Sequence, residues 1–547
     1  MFKQYIVDLK KEFKDYNGKK LSQDALAGLT VTAVALPLAL AFGVSSGADA
    51  AAGLITAILS GFLMSALSGA SYQISGPTGA MTAILIGLVA KYQMEGVFIA
   101  TLLAGIILLI AGLLKIGKLV SLIPSPVITG FTSGIAIIIA LGQIDNFFGV
   151  TSQGSTNIEK LLSYGTLGFQ PNWYAVALGT LVIVIMLVWP KKWNAKVPSS
   201  LVGIIIALVI SMILKKDVAM VGDIPKTLLP ATRLSLSDLS MEKINLLFSS
   251  SISIAALGMI ESLLCGASAG RMKDEKLNAD RELVAQGIGN MIIPFFGGVP
   301  STAAIARTSV AIKSGAQTRL TGIFHAVGLL ASMFLLGGVM SQIPLSALAG
   351  VLMVTAWRMN EWESIRFIFS KKLKTAIAQF CITMLATVIF DLTLAILLGV
   401  IFSILFFVVN ISGIEINLSD IDPARLASNG LHIEHDHEKT KVVYLTGPVF
   451  FTTTEKIKAE ISQLTDLEYI IFSMRGVPLL DATGTQLFSE LNESFKAQGT
   501  TILFSGLQPK VKHLMERSGL METVGEENFF WSVEQSIMAI EKEQLAS

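Results

Sequence analysis

Between Ala25 and Gln143 the chain is almost continuously apolar, interrupted only by Asp49, Lys91, Glu95, Lys115 and Lys118 among charged side chains. Stretches such as Val97 to Leu114 approach the roughly 20 apolar residues that cross a bilayer as helix. Further runs follow at Tyr174 to Trp189, Ser200 to Leu214, Leu246 to Gly266, Leu283 to Phe296, Gly322 to Gly338, Leu345 to Trp357, Thr375 to Phe390 and Leu392 to Val409. Hydropathy therefore predicts about a dozen spans. The amphipathic piece Met1 to Asp24 precedes the first span and many spans follow it, a pattern unlike a cleaved signal peptide. After Ser412 the pattern changes. Acidic residues arrive together (Asp420, Asp422, Glu434, Asp436, Glu438), and short apolar strands then alternate with amphipathic helices. Strands are predicted at Lys441 to Leu445, Tyr469 to Ser473 and Thr501 to Phe504. Helices are predicted at Thr454 to Leu464, Asp481 to Ala497 and Lys510 to Ser518. Such alternation implies a small sheet flanked by helices. The expected organisation is an amino-terminal segment 1–24, a transmembrane domain 25–412, a linker 413–430 and a small α/β domain 431–547.

Composition supports this division. Of 547 residues, 52% are hydrophobic and 15% charged, far below the roughly 25% charged fraction of soluble domains, so a single soluble domain is excluded. The formal net charge of +1 supplies no basic field for nucleic acid. Cys265 and Cys381 each lie in an apolar run, which argues against a disulfide framework and a thiolate metal site. The basic segments are Lys10 to Lys20, Lys191 to Lys196, Arg271 to Arg281 and Arg358 to Lys374. The positive-inside rule places them in the cytoplasm, with both termini inside and an even number of spans, as in a bacterial-type inner membrane.

Two stretches break the helical pattern in comparable positions of the two halves: Ser75-Gly76-Pro77-Thr78-Gly79-Ala80 and Gly297-Gly298-Val299-Pro300-Ser301-Thr302. Each sets Gly and Pro ahead of a short apolar helix, Met81 to Val89 and Ala303 to Ile312. Pro suits a helix's first turn and Gly permits close backbone approach. Either these are half-helices starting at mid-membrane, whose free N–H groups would face an anion, or they are ordinary kinks in packed helices. Glu261 stands as the sole charge between Asn245 and Gly270, and Arg307 as the sole one between Leu283 and Ile312. Intramembrane charge is costly unless paired or facing a cavity. Arg307 would either add positive charge to the second helix start or snorkel to the interface. Glu261 would be a proton acceptor, a cation ligand or a structural partner.

The series Gly28-Leu29-Thr30 through Leu36 to Gly43, then Ser75 to Gly79, then Pro124-Ser125-Pro126-Val127-Ile128-Thr129-Gly130-Phe131-Thr132-Ser133-Gly134, followed by the soluble tail, resembles the SulP family of anion transporters. The resemblance spans nearly the whole chain. It implies a polytopic α-helical membrane protein of fourteen spans in two inverted repeats of seven, with core and gate domains, a cytoplasmic STAS domain and a homodimer. It further implies an anion held between the half-helices of the third and tenth spans. Those correspond to Gly76, Pro77, Thr78, Gly79 and Ala80, and to Ser301, Thr302, Ala303 and Ala304, with Arg307 beside them. Glu261 falls where the family carries an acidic residue implicated in cation coupling. In related sodium-coupled bicarbonate transporters that position is Asp with a hydroxyl residue one turn later; here Glu261 and Cys265 stand instead. A thiol is a poor ligand for a hard cation, which favours proton over sodium coupling.

In the tail, Asp481-Ala482-Thr483-Gly484 opens a helix, with Asp481 suited to the amino cap. The segment is similar to the STAS signature whose Thr483 position is phosphorylated in bacterial sigma-factor regulators, and the domain would take a cytoplasmic protein or nucleotide ligand. His432, His435 and His437 lie in a polar stretch read as a solvated strand edge rather than a metal site. No nucleophile motif, phosphate loop or dinucleotide fingerprint appears, so neither enzyme nor cofactor is expected. The expected function is secondary transport of a small anion (sulfate, bicarbonate or a dicarboxylate) by proton symport. Sodium-coupled bicarbonate transport, anion exchange, a channel and a membrane-anchored scaffold are the alternatives.

Overall fold

The computed structural model describes residues 2–118, 123–154, 157–190, 197–214, 217–390, 392–428, 430–431, 433–435 and 437–546. The basic stretch Lys191 to Lys196, together with His432 and Asp436, lies outside them. The chain divides into two units, Met1–Ser403 and Ile404–Ser547.

The first unit is helical. Among the described residues, six helices are long and apolar enough to cross a membrane: Gly18–Ser45, Ala50–Leu67, Gly79–Leu113, Ser125–Phe148, Met241–Lys273 and Leu320–Met340. Shorter apolar helices occupy Trp173–Val188, Ser199–Leu214, Leu345–Met359 and Lys374–Ile389. With Ala279–Ile292, the 3-10 turn Ile293–Phe296 and Leu392–Ile411, every apolar run named from the sequence falls on helix. The two breaks differ from expectation in detail. A straight helix over Gly79–Leu113 would reach about 50 Å, beyond a hydrocarbon core of about 30 Å. It is interrupted at Gln93, whose φ of 58° and ψ of −172° leave the helical region. The second short helix begins at Ile305, not Ala303, because Thr302 and Ala303 are extended.

Helix Ala279–Ile292 packs against Gly79–Leu113 through glycine. A Cβ on Gly105 would lie 2.6 Å from the Met291 nitrogen and 2.8 Å from the Gly287 oxygen, so only hydrogen fits between these backbones. The amino-terminal segment is also tied down. Tyr5 donates to the Ala66 carbonyl at 2.7 Å, Arg319 pairs with Glu12 at 2.8 Å, and Arg281 pairs with Asp8. Asp24 accepts from the Thr318 and Thr321 hydroxyls at 2.6 and 2.8 Å.

The second unit carries a five-stranded sheet in the order β3-β4-β5-β6-β7, with β3 (Glu415–Asp420), β4 (Thr440–Thr446), β5 (Tyr469–Gly476), β6 (Thr501–Ser505) and β7 (Phe529–Phe530). The β4 to β7 pairings are parallel and β3 is antiparallel to β4. Helices Thr454–Ile461, Ala482–Ala497 and Pro509–Arg517 stand where the periodicity placed them. Phe472, Phe488 and Phe504 are fully buried with ring centroids 5.3–5.5 Å apart, which anchors the helix Ala482–Ala497 on the sheet. The stretch 413–430, expected to be a linker, instead supplies β3 and the helix Pro423–Ser428. Its polar side chains misled: β3 is a mostly exposed edge strand that joins the sheet chiefly through its backbone.

The expected solvated edge at the histidines is also corrected. His437 is buried, with Nε2 2.9 Å from Glu541, and His435 Nδ1 lies 3.0 Å from the same carboxylate. The Glu434 and His435 N–H groups donate to it as well. Glu541, about a hundred residues downstream on helix Val533–Ala546, thereby fastens the last helix. Burial would raise its carboxyl, but the bonds from His435, the Glu434 N–H and His437 outweigh this and hold it at about 2. A group depressed on folding stabilises fully above its ordinary value of 4.5, and that stabilisation is lost as pH falls toward 2. Thermal melts of the full-length protein across this window should show the second unit destabilised by acid. Glu541→Gln should melt earlier at neutral pH, by about 1–3 kcal/mol, and lack that component of the acid dependence.

Candidate functional site

The two Gly/Pro breaks cross each other. Ser75–Gly76 (β1) pairs antiparallel with Thr302–Ala303 (β2), Ser75 opposite Ala303 and Gly76 opposite Thr302, and the Ala304 N–H donates to the Ile74 carbonyl at 2.9 Å. Each strand leads into a helix: Thr78 caps Gly79–Leu113, and the extended Ala304 precedes Ile305–Lys313. Because the strands run antiparallel, the helices leave in opposite directions. Their unbonded amino-terminal N–H groups therefore approach the crossing from opposite sides. Gly76, Pro77, Thr78, Gly79, Ala80, Ser301, Thr302 and Ala303 are buried and Ala304 is half-buried.

Glu261, on helix Met241–Lys273, joins the two breaks. One carboxylate oxygen accepts from the Thr78 hydroxyl at 2.8 Å and from the Thr302 hydroxyl at 2.6 Å. Glu261 itself retains partial exposure. Arg307, a turn into the second helix, is 1% exposed, which rules out snorkelling. Its Nη2 donates to the Pro77 carbonyl at 2.7 Å, reaching back across the crossing to the first break. Its Nη1 has no hydrogen-bond partner among the described residues. The guanidinium fits because residue 76 is glycine: a Cβ there would lie 2.2 Å from Nη1. The predicted residues thus converge, with one exception. Cys265 lies a turn beyond Glu261, but its thiol donates to Thr308 Oγ1 at 3.4 Å and takes no part in the Glu261 cluster.

Several participants escaped the sequence reading. Thr308 accepts from the Ile74 N–H at 3.1 Å, and Gln73 Nε2 donates to the Ser262 carbonyl at 2.8 Å, fixing the approach to β1. Asn290 and Gln286 hold Ser301 and Ser75. The last two carried a readable signal, two amides four apart in the apolar stretch Leu283 to Ile292. Hydroxyl residues carried none, since they commonly satisfy themselves on their own helix. In the second unit, Asp481 caps the helix as expected, accepting from Gly484 N–H at 2.8 Å, and also accepts from Phe451 N–H at 3.2 Å. Thr483 is exposed on that helix's first turn.

Comparisons with known proteins identify the family. Residues 21–386, well over half of the chain, match the family described as the sulfate permease family. The chain belongs to that family. Residues 433–536 match the STAS domain. A Bacillus subtilis protein that carries the name "Putative sulfate transporter YvdB" is 32% identical, over 95% of this chain and 97% of its own length. The bicarbonate transporter BicA of Picosynechococcus sp. is 29% identical, over 95% of this chain and 94% of its own. The solved transmembrane domain of a cyanobacterial BicA superposes with a TM-score of 0.63 at 30% identity, covering 71% of this chain and 98% of that one. This sulfate permease family member is therefore a multi-pass membrane protein with a STAS domain, and its relatives are transporters rather than enzymes.

Proposed function

We propose that the protein is a secondary active transporter of a small anion, sulfate or bicarbonate first among the candidates, which binds where β1 and β2 cross. The observation that carries this reading is the meeting of two helix amino termini with a buried guanidinium whose Nη1 lacks a partner among the described residues. Helix dipoles and a desolvated guanidinium are the equipment for holding an anion without a metal. Gly79 and Ala80, at the start of the first helix, supply backbone N–H groups and Arg307 supplies charge, while Ser301, Ala303 and Ala304 line the crossing with their own N–H groups bonded to Asn290, Ser262 and Ile74. Alternating access would then be motion of the surrounding helices about this crossing. The family relatives named as sulfate and bicarbonate transporters support both substrates.

The test is Arg307→Ala, examined beside Arg307→Lys. Loss of a charge-assisted bond should raise the apparent KM for sulfate or bicarbonate in proteoliposomes by about 10- to 100-fold, with Lys recovering part of it. An unchanged KM in a folded Arg307→Ala protein would overturn this site.

Proton symport with Glu261 as carrier is the coupling we favour, since a solitary carboxyl in an apolar span can take up and release a proton. One observation favours sodium: Thr78, Thr302 and Glu261 bring three oxygens together. Both termini in the cytoplasm, a homodimer, and a protein ligand or phosphate at Thr483 complete the reading.

A further inference from the structure

A strand pair only two residues long leaves a problem at its buried edges, because backbone N–H and C=O groups turned away from the partner strand still need hydrogen bonds. In an antiparallel pair alternate residues face outward. The bond from Ala304 N–H to Ile74 sets the phase, so Ser301 and Ala303 point their backbone groups away from β1. Ser262 Oγ accepts from the Ala303 N–H at 3.2 Å. Ser301 is met by Asn290, whose Oδ1 accepts from the Ser301 N–H at 2.8 Å and whose Nδ2 donates to the Ser301 carbonyl at 2.9 Å. A primary amide carries the donor and acceptor of a peptide group, so Asn290 stands in for a third strand.

One turn back on the same helix, Gln286 Nε2 donates to Ser75 Oγ of β1 and to Glu282 Oε1, each at 2.8 Å. Another turn back, Glu282 Oε2 accepts from Ser68 Oγ at 2.6 Å and from the Gly69 N–H at 3.0 Å. Ser68 Oγ already accepts from the Ala70 N–H at 3.0 Å, so its proton is free for Glu282. Every group touching Glu282 therefore donates. A carboxylate that only accepts forces Gln286 to present its NH2, which leaves the second N–H for Ser75. The three side chains stand at i, i+4 and i+8, hence on one face of Ala279–Ile292, and are 0–1% exposed. So long a buried polar stripe is costly unless each member has a partner.

We propose that Glu282, Gln286 and Asn290 are positioning residues for anion recognition. They hold β1 and β2 in the register that aims both helix starts and Arg307 at one volume, and the proposal rests on the crossing being the anion site. Asn290→Asp keeps the acceptor for the Ser301 N–H and loses the donor to its carbonyl. Gln286→Leu releases Ser75 and Glu282 together, and Ser75→Ala deletes one oxygen. With sulfate and bicarbonate as probes in proteoliposomes, KM should rise about tenfold in the first two variants and about threefold in Ser75→Ala, with maximal rate per folded protein nearly kept. A purely structural stripe would instead lower the folded fraction, and with it the rate, at constant KM. If Arg307→Ala raises KM while these variants stay within about twofold of the parent, the positioning role is overturned and the site reading stands. If Arg307→Ala also leaves KM unchanged, the site reading itself falls. Should Asn290→Asp and Gln286→Leu fail to fold, the KM of Ser75→Ala decides.

Discussion

Gly76→Val should reduce anion uptake to less than about a tenth of the parental rate, a loss of more than about 1.4 kcal/mol of transition-state stabilisation. The reason is steric. A Cβ at residue 76 would lie 2.2 Å from Arg307 Nη1, 2.8 Å from its Cζ and 2.9 Å from Nη2, all well inside contact distance. The guanidinium is buried and anchored on the Pro77 carbonyl, so it can retreat only by breaking that bond. Overpacking of this kind typically costs about 1–3 kcal/mol of stability as well. The check is a double-mutant cycle. In an Arg307→Ala background Gly76→Val should cost far less stability than alone, because the atoms it strikes are gone. Equal costs in both backgrounds would show that the collision with Arg307 is not the cause, and normal uptake by Gly76→Val would contradict the placement of the site.

Glu261→Gln should abolish the response of uptake to an inward proton gradient and lower accumulation by about tenfold or more. As a carboxylate, Glu261 accepts two hydroxyl protons on one oxygen, one from each break. Protonation removes the negative charge and weakens both hydroxyl bonds, because a neutral carboxyl oxygen is a poorer acceptor than a carboxylate. Thr78 also caps the first helix by accepting from the Met81 N–H at 3.4 Å. Proton occupancy is thereby linked to the geometry of the helix starts, and by reciprocity anion occupancy is linked to proton uptake. Glutamine retains a carbonyl oxygen for both hydroxyls, so the fold should survive while the dissociable proton does not. Wild-type uptake should rise when the outside is acidified relative to the lumen, and the variant should be indifferent. Uptake that depends on sodium and ignores the proton gradient would overturn proton coupling in favour of the oxygen cluster as a cation site.

Much of this was legible without coordinates. The apolar runs and the sparse charges mark helices that can pass through lipid, because a spanning segment must satisfy its own backbone and shed its charge. The alternating tail marks a sheet with helices, and the solitary Glu261 and Arg307 mark themselves by their cost. What failed was local. The stretch 413–430 is polar enough to read as linker, yet an edge strand needs only its backbone to pair, and side-chain pattern is weakest there. His435 and His437 looked solvated because their partner, Glu541, is remote in sequence.

The sequence by itself determined which segments are helices, that two Gly/Pro breaks recur in corresponding halves, and which residue types are available beside them. Those properties follow from periodicity, hydropathy and the backbone preferences of Gly and Pro, all of which act over a few neighbouring residues. Only the tertiary structure decided that the breaks pair as strands, that one oxygen of Glu261 serves both, that Arg307 occupies the space Gly76 leaves, and that Asn290 completes β2. Ser75 and Ala303 are more than two hundred residues apart. Their register is set by packing of glycine-lined helices and by hydrogen bonds from side chains of a third segment, and no local preference encodes a distance between groups that meet only after the chain has folded.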